Sequence, residues 1–383
     1  MTEITAGPPA LLRSLNARAV LEVVDRQGPI GRPELRDATG LSKTAIAQTL
    51  TELERRGAVE RAGFDVSRRG PVATLYGLRE RASVGAAVDI GHHRLRVIIT
   101  GLGRQPLARA SADADHSSAP ETAALVHRLL AQACSDADVD LDDLQVCVIG
   151  VPAVVGEGGE LRLASGLAAG GVGLASALAD ALPCPASLEN DTNLAAIAEQ
   201  VGGSARGLSS FVLLSVGASV GAGVVIDGEL RRGSTGAAGE IAYLPGPGDE
   251  IDDSLGAQSV TTDAEAEGMA PPPSARAVFD AARAGDAAAL RAVERTARRI
   301  ARVSASLALV LDPELIILGG SIGSNGDLLV EPVSRILRDA FPQAAARVAA
   351  ATAGEHAVLD GAVRLCGDRL REVVFDRATA PLR

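Results

Sequence analysis

Lysine is almost absent. Lys43 is the only one among 383 residues, and arginine carries the rest of the positive charge. With abundant alanine beside it, this reads as GC-rich coding bias rather than chemistry. Cysteine is scarce too. Cys134, Cys147, Cys184 and Cys366 form no CxxC or CxC, which excludes a zinc cluster and a disulfide framework. Buried free thiols in a reducing compartment are the expectation. Long apolar runs are missing. The longest, Phe211 to Ile226, spans 16 residues and is interrupted by glycine and serine, short of the roughly 20 that a membrane helix needs. Met1 to Leu12 has neither the basic start nor the apolar core of a leader. These absences point to a soluble cytoplasmic protein with no membrane partner.

What is present is core material. Apolar residues make up 47% of the chain and charged residues 22%, which excludes a disordered chain. At about 150 residues per domain, the length predicts two or three domains. The net charge of −11 argues against a protein that coats nucleic acid over its whole surface. The charge is unevenly divided. Residues 1–81 hold 13 Lys and Arg against 10 Asp and Glu, whereas the remainder holds 24 against 38. A mildly basic head precedes an acidic body.

In the head, Leu11 to Asp25 reads as a helix, with Leu11, Leu12, Leu15, Ala19 and Val23 near helical spacing. Arg32 to Thr39 reads as a second helix with Pro33 in its first turn. Gly40 makes a turn, Ser42 caps a third helix from Lys43 to Arg56, and Gly57 stops it. Ile46, Leu50 and Leu53 are that helix's inward stripe. Ser42, Lys43, Thr44 and Gln48 are left for the outside. Short side chains let such a helix enter a major groove, where Gln and Lys reach base edges or phosphates. Two strand-like runs, Ala58 to Arg61 and Ala73 to Leu78, flank Arg68-Arg69-Gly70-Pro71. They read as a wing whose Arg68 and Arg69 contact the minor groove or phosphates. The plain alternative is a small helical interaction domain with solvated arginines.

In the body, strands alternate with helices, which predicts α/β layers. Val84 to Asp89, Leu95 to Thr100, Val146 to Gly150, Phe211 to Ser215, Gly221 to Ile226 and Leu315 to Leu318 read as strands. Leu174 to Leu182, Leu194 to Val201 and Ala287 to Leu311 read as helices. Pro245 to Pro273 reads as a loop. Two similar halves are expected, each opening with a strand–turn–strand hairpin, one at Asp89 and one at Gly217.

The motifs Glu189-Asn190-Asp191-Thr192-Asn193, Ala238-Gly239-Glu240-Ile241, Asp312-Pro313-Glu314 and Gly319-Gly320 reach a family. So does Val225-Ile226-Asp227-Gly228-Glu229-Leu230 with Gly233. Over essentially its whole length the chain resembles the ROK family of repressors and sugar kinases. The head resembles the winged helix-turn-helix of the family's repressor branch. The resemblance implies a winged helix-turn-helix over residues 1–80, then a two-lobed actin/hexokinase-like α/β domain over 83–383. Its lobes are expected at about 83–195 plus a C-terminal helix, and 196–365.

By the same resemblance, Asn190 and Asp191 match the pair that binds sugar hydroxyls, the Asp being the kinases' general base. A carboxylate beside an amide on a loop before a helix suits vicinal hydroxyls; the plain alternative is that Asp191 or Thr192 only caps the helix. Glu240 matches another sugar-hydroxyl acceptor. The family's zinc-binding Gly-His is replaced by Ala242-Tyr243, and its cysteine loop is matched by Gly248 to Leu255, which has no cysteine. No structural zinc is therefore expected. Tyr243 offers a hydroxyl or a ring to a ligand, or fills the zinc loop's lost volume. The family's Gly-Gly-Thr phosphate turn is Gly91-His92-His93 here, and its Gly-Thr-Gly turn is Gly217-Ala218-Ser219. Two adjacent histidines point apart, so no metal is expected at His92-His93.

The expectation is a DNA-binding transcriptional regulator, most simply a repressor. It carries no cofactor or catalytic residue, works as a homodimer or tetramer on double-stranded operator DNA, and senses a sugar or sugar derivative. The alternative is an ATP-dependent sugar kinase with a DNA-binding head.

Overall fold

The computed structural model describes residues 9–65, 73–164, 167–217, 219–244, 255–272, 274–344 and 346–380. The chain opens with helix α1 (Pro9–Gln27), strand β1 (Ile30–Gly31), helices α2 (Arg32–Thr39) and α3 (Lys43–Arg55), and strands β2 (Val59–Asp65) and β3 (Ala73–Leu78). Pro33 fits the first turn of α2, where no amide is needed. Gly40 ends α2 at φ +70°, the left-handed region that glycine enters freely. The Ser42 hydroxyl accepts from the Ala45 amide at 3.2 Å and caps α3. Helix α3 buries Ile46, Leu50 and Leu53, as its spacing predicts. The strands form an antiparallel sheet in the order β1-β3-β2. Tyr76 on β3 is buried, and its hydroxyl accepts from Arg32 at 2.7 Å.

One stripe differs from its expectation. Leu11, Leu12 and Leu15 are exposed, and α1 instead buries Ala17, Val20, Leu21, Val23 and Val24. Two apolar stripes overlap on this helix, and the position of its packing partners selects the second. The arginines Arg68 and Arg69 lie outside the described residues.

The body contains two five-stranded sheets of like topology. The first comprises β4 (Val84–Ile90), β5 (Arg94–Thr100), β6 (Pro106–Asp113), β7 (Leu144–Val151) and β10 (Ala186–Asn190). A two-stranded hairpin, β8 (Val154–Val155) and β9 (Leu161–Arg162), stands between β7 and β10. The sheet order is β10-β7-β4-β5-β6. The second sheet has β11 (Phe211–Val216), β12 (Val220–Ile226), β13 (Glu229–Leu230), β14 (Leu315–Gly319) and β15 (Arg347–Ala350). Its order is β13-β12-β11-β14-β15. Each begins with an antiparallel hairpin, β4–β5 and β11–β12, and continues with parallel strands.

Helices α4 (Ala119–Asp136) and α5 (Leu174–Ala181) cover one face of the first sheet. Helix α6 (Asp191–Gly202) follows β10 without a break. It starts three residues before the helix expected from the sequence, and Asn190 is the cap rather than Asp191 or Thr192. Asn190 sits at φ −61°, ψ 136°, and its side chain accepts from the Asn193 amide at 3.1 Å. The second sheet is covered by α7 (Ala257–Ala266), α8 (Ala275–Arg283), α9 (Ala287–Leu311), the short α10 (Gly320–Gly323) and α11 (Gly326–Ala340). Helix α7 falls inside the stretch expected to be a loop. The helix buries Val260 and Ala264, so an i, i+4 pair suffices where proline and glycine flank it on both sides.

The last helix, α12 (Ala357–Thr379), returns from the second sheet to the open face of the first. It packs along α6 and against α1. One buried apolar cluster contains Val20, Leu21 and Leu50 of the head, Ile98 and Val148 of the first sheet, and Leu370 and Val374 of α12. Head and first lobe thus share a core. Polar contacts reinforce it. Arg371 of α12 pairs with Asp25 of α1. Arg56 donates to the carbonyls of Arg377 and Ala380, both at 2.9 Å.

All four cysteines are free and buried. Among the described residues no helix is long and apolar enough to cross a membrane.

Candidate ligand cleft

Strand β10 runs parallel to β7, with Asn190 opposite Val151. Buried Glu189 fixes the strand's end. It accepts from Arg232 at 2.7 Å, from the Asn193 carboxamide at 2.9 Å and from the Asn190 amide at 3.1 Å. A buried carboxylate so thoroughly satisfied holds the following turn rigid. Asn190 donates to the Ala153 carbonyl at 3.1 Å and lies 3.5 Å from Glu240. The Asp191 carboxylate accepts from the Thr192 amide and hydroxyl at 2.6 and 3.2 Å.

Glu240 arrives from the second lobe. The turn before it depends on Gly239, at φ +93°, where a Cβ would stand 1.8 Å from the Ala222 carbonyl oxygen. Only glycine lets this loop hydrogen-bond to β12, where the Ala222 amide donates to the Gly239 carbonyl at 2.8 Å. Tyr243 closes the single turn that follows and is about half exposed.

The structure brings Asn190, Asp191, Glu240 and Tyr243 together. All four line one cavity of about 150 Å³, with Thr192, Ser219 and Gly221 completing its polar wall. This is smaller than the roughly 300–1,000 Å³ of pockets for drug-sized ligands, and suits a molecule about the size of one sugar ring.

The electrostatics are strongly acidic. Burial, with the Asp89 charge adding to it, pushes Asp191 up to about 6. Burial and Asp191 raise Glu240. Burial raises Asp89 as well, against the pull of Arg96, which pairs with it at 3.1 Å. Asp89 and Arg96 escaped the sequence reading as site residues. The hairpin position of Asp89 was visible, but its charge coupling to Asp191, about a hundred residues on, arises only through the β4–β7–β10 order.

The two hairpin turns, whose sequences depart from the family's phosphate motifs, are held by contacts of their own. The Gly91 carbonyl bonds a ring nitrogen of His116 at 3.0 Å. His92 is half-buried and its pKa is lowered by burial and by His93 and His116. The second turn closes by Gly217 N–H to the Ser219 carbonyl at 3.0 Å. It packs on Gly320, whose φ of +77° and contact with the Val216 backbone leave no room for a Cβ. Other motif residues prove structural. Glu314 accepts from the Ser209 and Ser210 amides at 3.0 and 3.1 Å. Asp227-Gly228, both at positive φ, make the β12–β13 turn.

In the head, Ser42, Lys43, Thr44 and Gln48 are all exposed on α3. Ser42 is engaged as the cap. Residues 245–254, where the zinc loop would fall, lie outside the described residues. Among the described residues no group of three or more His, Cys, Asp or Glu could hold a metal ion.

Two sheets of like topology, with a cleft where a helix crosses from each, define the actin-like α/β fold of the sugar kinases. The sequence profile of the ROK family matches residues 85–249 and 259–369. The chain belongs to that family.

Its relatives include both regulators and enzymes. It is 26% identical to a xylose repressor of Caldicellulosiruptor bescii, over 62% of this chain and 60% of the repressor. It is 30% identical to a glucokinase of Halalkalibacterium halodurans, over 39% of this chain and 53% of the enzyme. The chain thus spans between half and two thirds of these curated relatives. A crystal structure of a ROK-family transcriptional regulator, a homologue of the Escherichia coli Mlc protein, superposes with a TM-score of 0.77 at 20% identity. It covers 96% of this chain and 99% of that one, a likeness of fold. The ROK hexokinase of Thermus thermophilus matches 73% of this chain and 96% of its own, with a TM-score of 0.61 at 26% identity.

Proposed function

We propose that the protein is a transcriptional regulator whose head is a winged helix-turn-helix and whose body is a sugar sensor. The observation that carries this reading is the path of α12. It lies along α6, which begins at Asp191, and shares one buried core with the head. A ligand that draws Glu240 toward Asn190 and Asp191 moves the lobe that feeds α12, and α12 is bonded to the head through Arg56 and Arg371. The shift in DNA affinity then equals the ligand's preference for the closed over the open cleft.

The head supports a DNA role by its exposed α3 face and its net positive charge. Lys43, Thr44 and Gln48 are the groove contacts, Ser42 caps the helix and offers its hydroxyl to a phosphate, and Arg68 and Arg69, which lie outside the described residues, are the further contacts expected from the sequence. A homodimer matches paired half-sites, because one recognition helix reads only a few base pairs. The xylose repressors among its relatives agree with a sugar effector and with repression.

The cleft disfavours phosphoryl transfer. Transfer rests on positioning and on positive charge around the phosphates. Here the sugar cavity is lined by two carboxylates and by no Lys or Arg among the described residues. His92 and His93 stand where small residues would admit phosphate. A sugar kinase with a DNA-binding head is the second reading. It is favoured by Asp191 itself, since a carboxylate raised to about 6 is poised as a general base.

Thermal unfolding against sugars, sugar phosphates and nucleotides tests both. A sugar-dependent rise in midpoint that disappears in Asp191→Ala supports the sensor. A rise with ATP, together with sugar phosphorylation, supports the kinase. No response to any compound contradicts both.

A further inference from the structure

A second cavity, of about 500 Å³, opens between β5, β6 and the start of α12. Its lining includes Arg94, Arg96, Arg109, Ser111, Glu355 and His356, and shares no residue with the sugar cavity or with the His92-His93 turn. We propose that it binds the phosphate group of a small phosphorylated molecule.

Strand pleating sets the charges. In the β5–β6 register Arg96 faces Ser111 and Ile98 faces Arg109, so Arg94, Arg96, Ser111 and Arg109 share the sheet face turned to α12. Three guanidinium groups crowded on one patch of antiparallel sheet repel each other. They do so in a body that is otherwise acidic, with 24 Lys and Arg against 38 Asp and Glu beyond residue 81. Their existing partners leave capacity to spare. Arg96 pairs with Asp89 at 3.1 Å through one nitrogen. Among the described residues the Arg94 side chain reaches only the Ser111 hydroxyl, at 3.2 Å. The Arg109 side chain makes no hydrogen bond or ion pair among the described residues, and interacts with Asp360 through space.

The opposite wall adds donors. Helix α12 has 23 residues and starts at this cavity with no side-chain cap. Its first amides and its dipole favour an anion. His356 carries a buried Nδ1 that has no hydrogen-bond partner among the described residues, and its Nε2 lies 3.5 Å from Glu355. The opposing carboxylates are Glu355 in the lining, with Asp113 cross-strand from Arg94, Asp360 on the helix and Asp89 beyond Arg96. Against them stand three guanidinium groups whose planar forks match phosphate oxygens two at a time. The volume takes a phosphorylated sugar or a mononucleotide.

The test uses the full chain with inorganic phosphate and pyrophosphate as probes, at constant ionic strength set with chloride. Calorimetric titration and thermal unfolding are read for wild type, Arg109→Gln, and Arg94→Gln with Arg109→Gln. Saturable binding is expected, weakened about tenfold or more by loss of each charge-assisted contact, and unchanged in Asp191→Ala and in Arg68→Ala with Arg69→Ala. Should the double variant fail to fold, Arg109→Gln decides alone, since that side chain makes no hydrogen bond among the described residues. Binding of equal strength in the arginine variants, loss of binding in Asp191→Ala, or no saturable binding in wild type overturns the proposal. Because the sugar response is read separately, failure here leaves the sensor reading intact.

Discussion

At the residue scale the cleft is a set of carboxylates held against their preference. Asp191 is raised to about 6 from 3.8. A carboxylate raised in the folded state holds its proton more tightly there than in the unfolded chain. Its ionisation therefore works against folding as pH rises from about 4 to about 6. Asp191→Asn removes that opposition. The variant is expected to melt above wild type at pH 7.5, with the gap closing as pH falls to 4, and to lose the sugar response. A lower midpoint at pH 7.5 contradicts this account of Asp191. Gly239 makes a second prediction. Alanine there needs φ +93° and meets the Ala222 carbonyl, so Gly239→Ala is expected to destabilise by about 2 kcal/mol or more in denaturant melts. Asn190, Asp191 and Glu240 were reached through motifs shared with the ROK family, and the structure brings them to one cavity. The charge coupling of Asp89 to Asp191, and the pairing of Arg96 with Asp89, were not legible in the sequence, because they depend on which strands lie side by side.

At the element scale, α3 and α12 matter most. Helix α3 was readable from capping and an i, i+4, i+7 stripe, and the structure gives it within one residue. Its chemistry is testable. Lys43→Ala is expected to weaken DNA binding evenly across sequences and to reduce the salt slope by about 1, and Arg68→Ala with Arg69→Ala by about 1 to 2. Gln48→Ala is expected to relax preference at one base pair instead. Fluorescence anisotropy over a salt series separates the two kinds of change, and an unchanged slope removes the residue from the interface. In the proposed function helix α12 carries the coupling. Arg56→Ala breaks its bonds to the Arg377 and Ala380 carbonyls, so DNA binding and sugar binding are each expected to persist while sugar loses most of its effect on DNA. Full coupling in the variant contradicts the path. Sequence pattern hid α12's role. Its apolar residues face two partners, the first sheet and the head, so no single stripe marks it. The overlapping stripes of α1 misled for a related reason, since burial there is chosen by a neighbour distant in sequence.

For the whole molecule, division of charge and continuity of core pull in different directions. A head carrying 13 positive against 10 negative residues sits on an acidic body, and under the proposed function this division directs DNA to the head alone. Yet head and first lobe share one apolar cluster, so lobe movement is not absorbed in a slack linker. The α/β layers and the two hairpin-led halves were legible from alternating strand and helix patterns. The return of the C-terminal helix to the first lobe was expected from the family resemblance alone, and the crossing of α6 was not read at all, because periodicity gives an element's type and not its destination. The central claim is that a sugar in the cleft changes DNA affinity. The measurement that tests it most directly is anisotropy of a labelled duplex, selected from a random library by the protein itself, titrated with and without the sugar that raises the melting midpoint. The account predicts an affinity change of about fivefold or more, absent in Asp191→Asn. Equal affinity with and without bound sugar would contradict it.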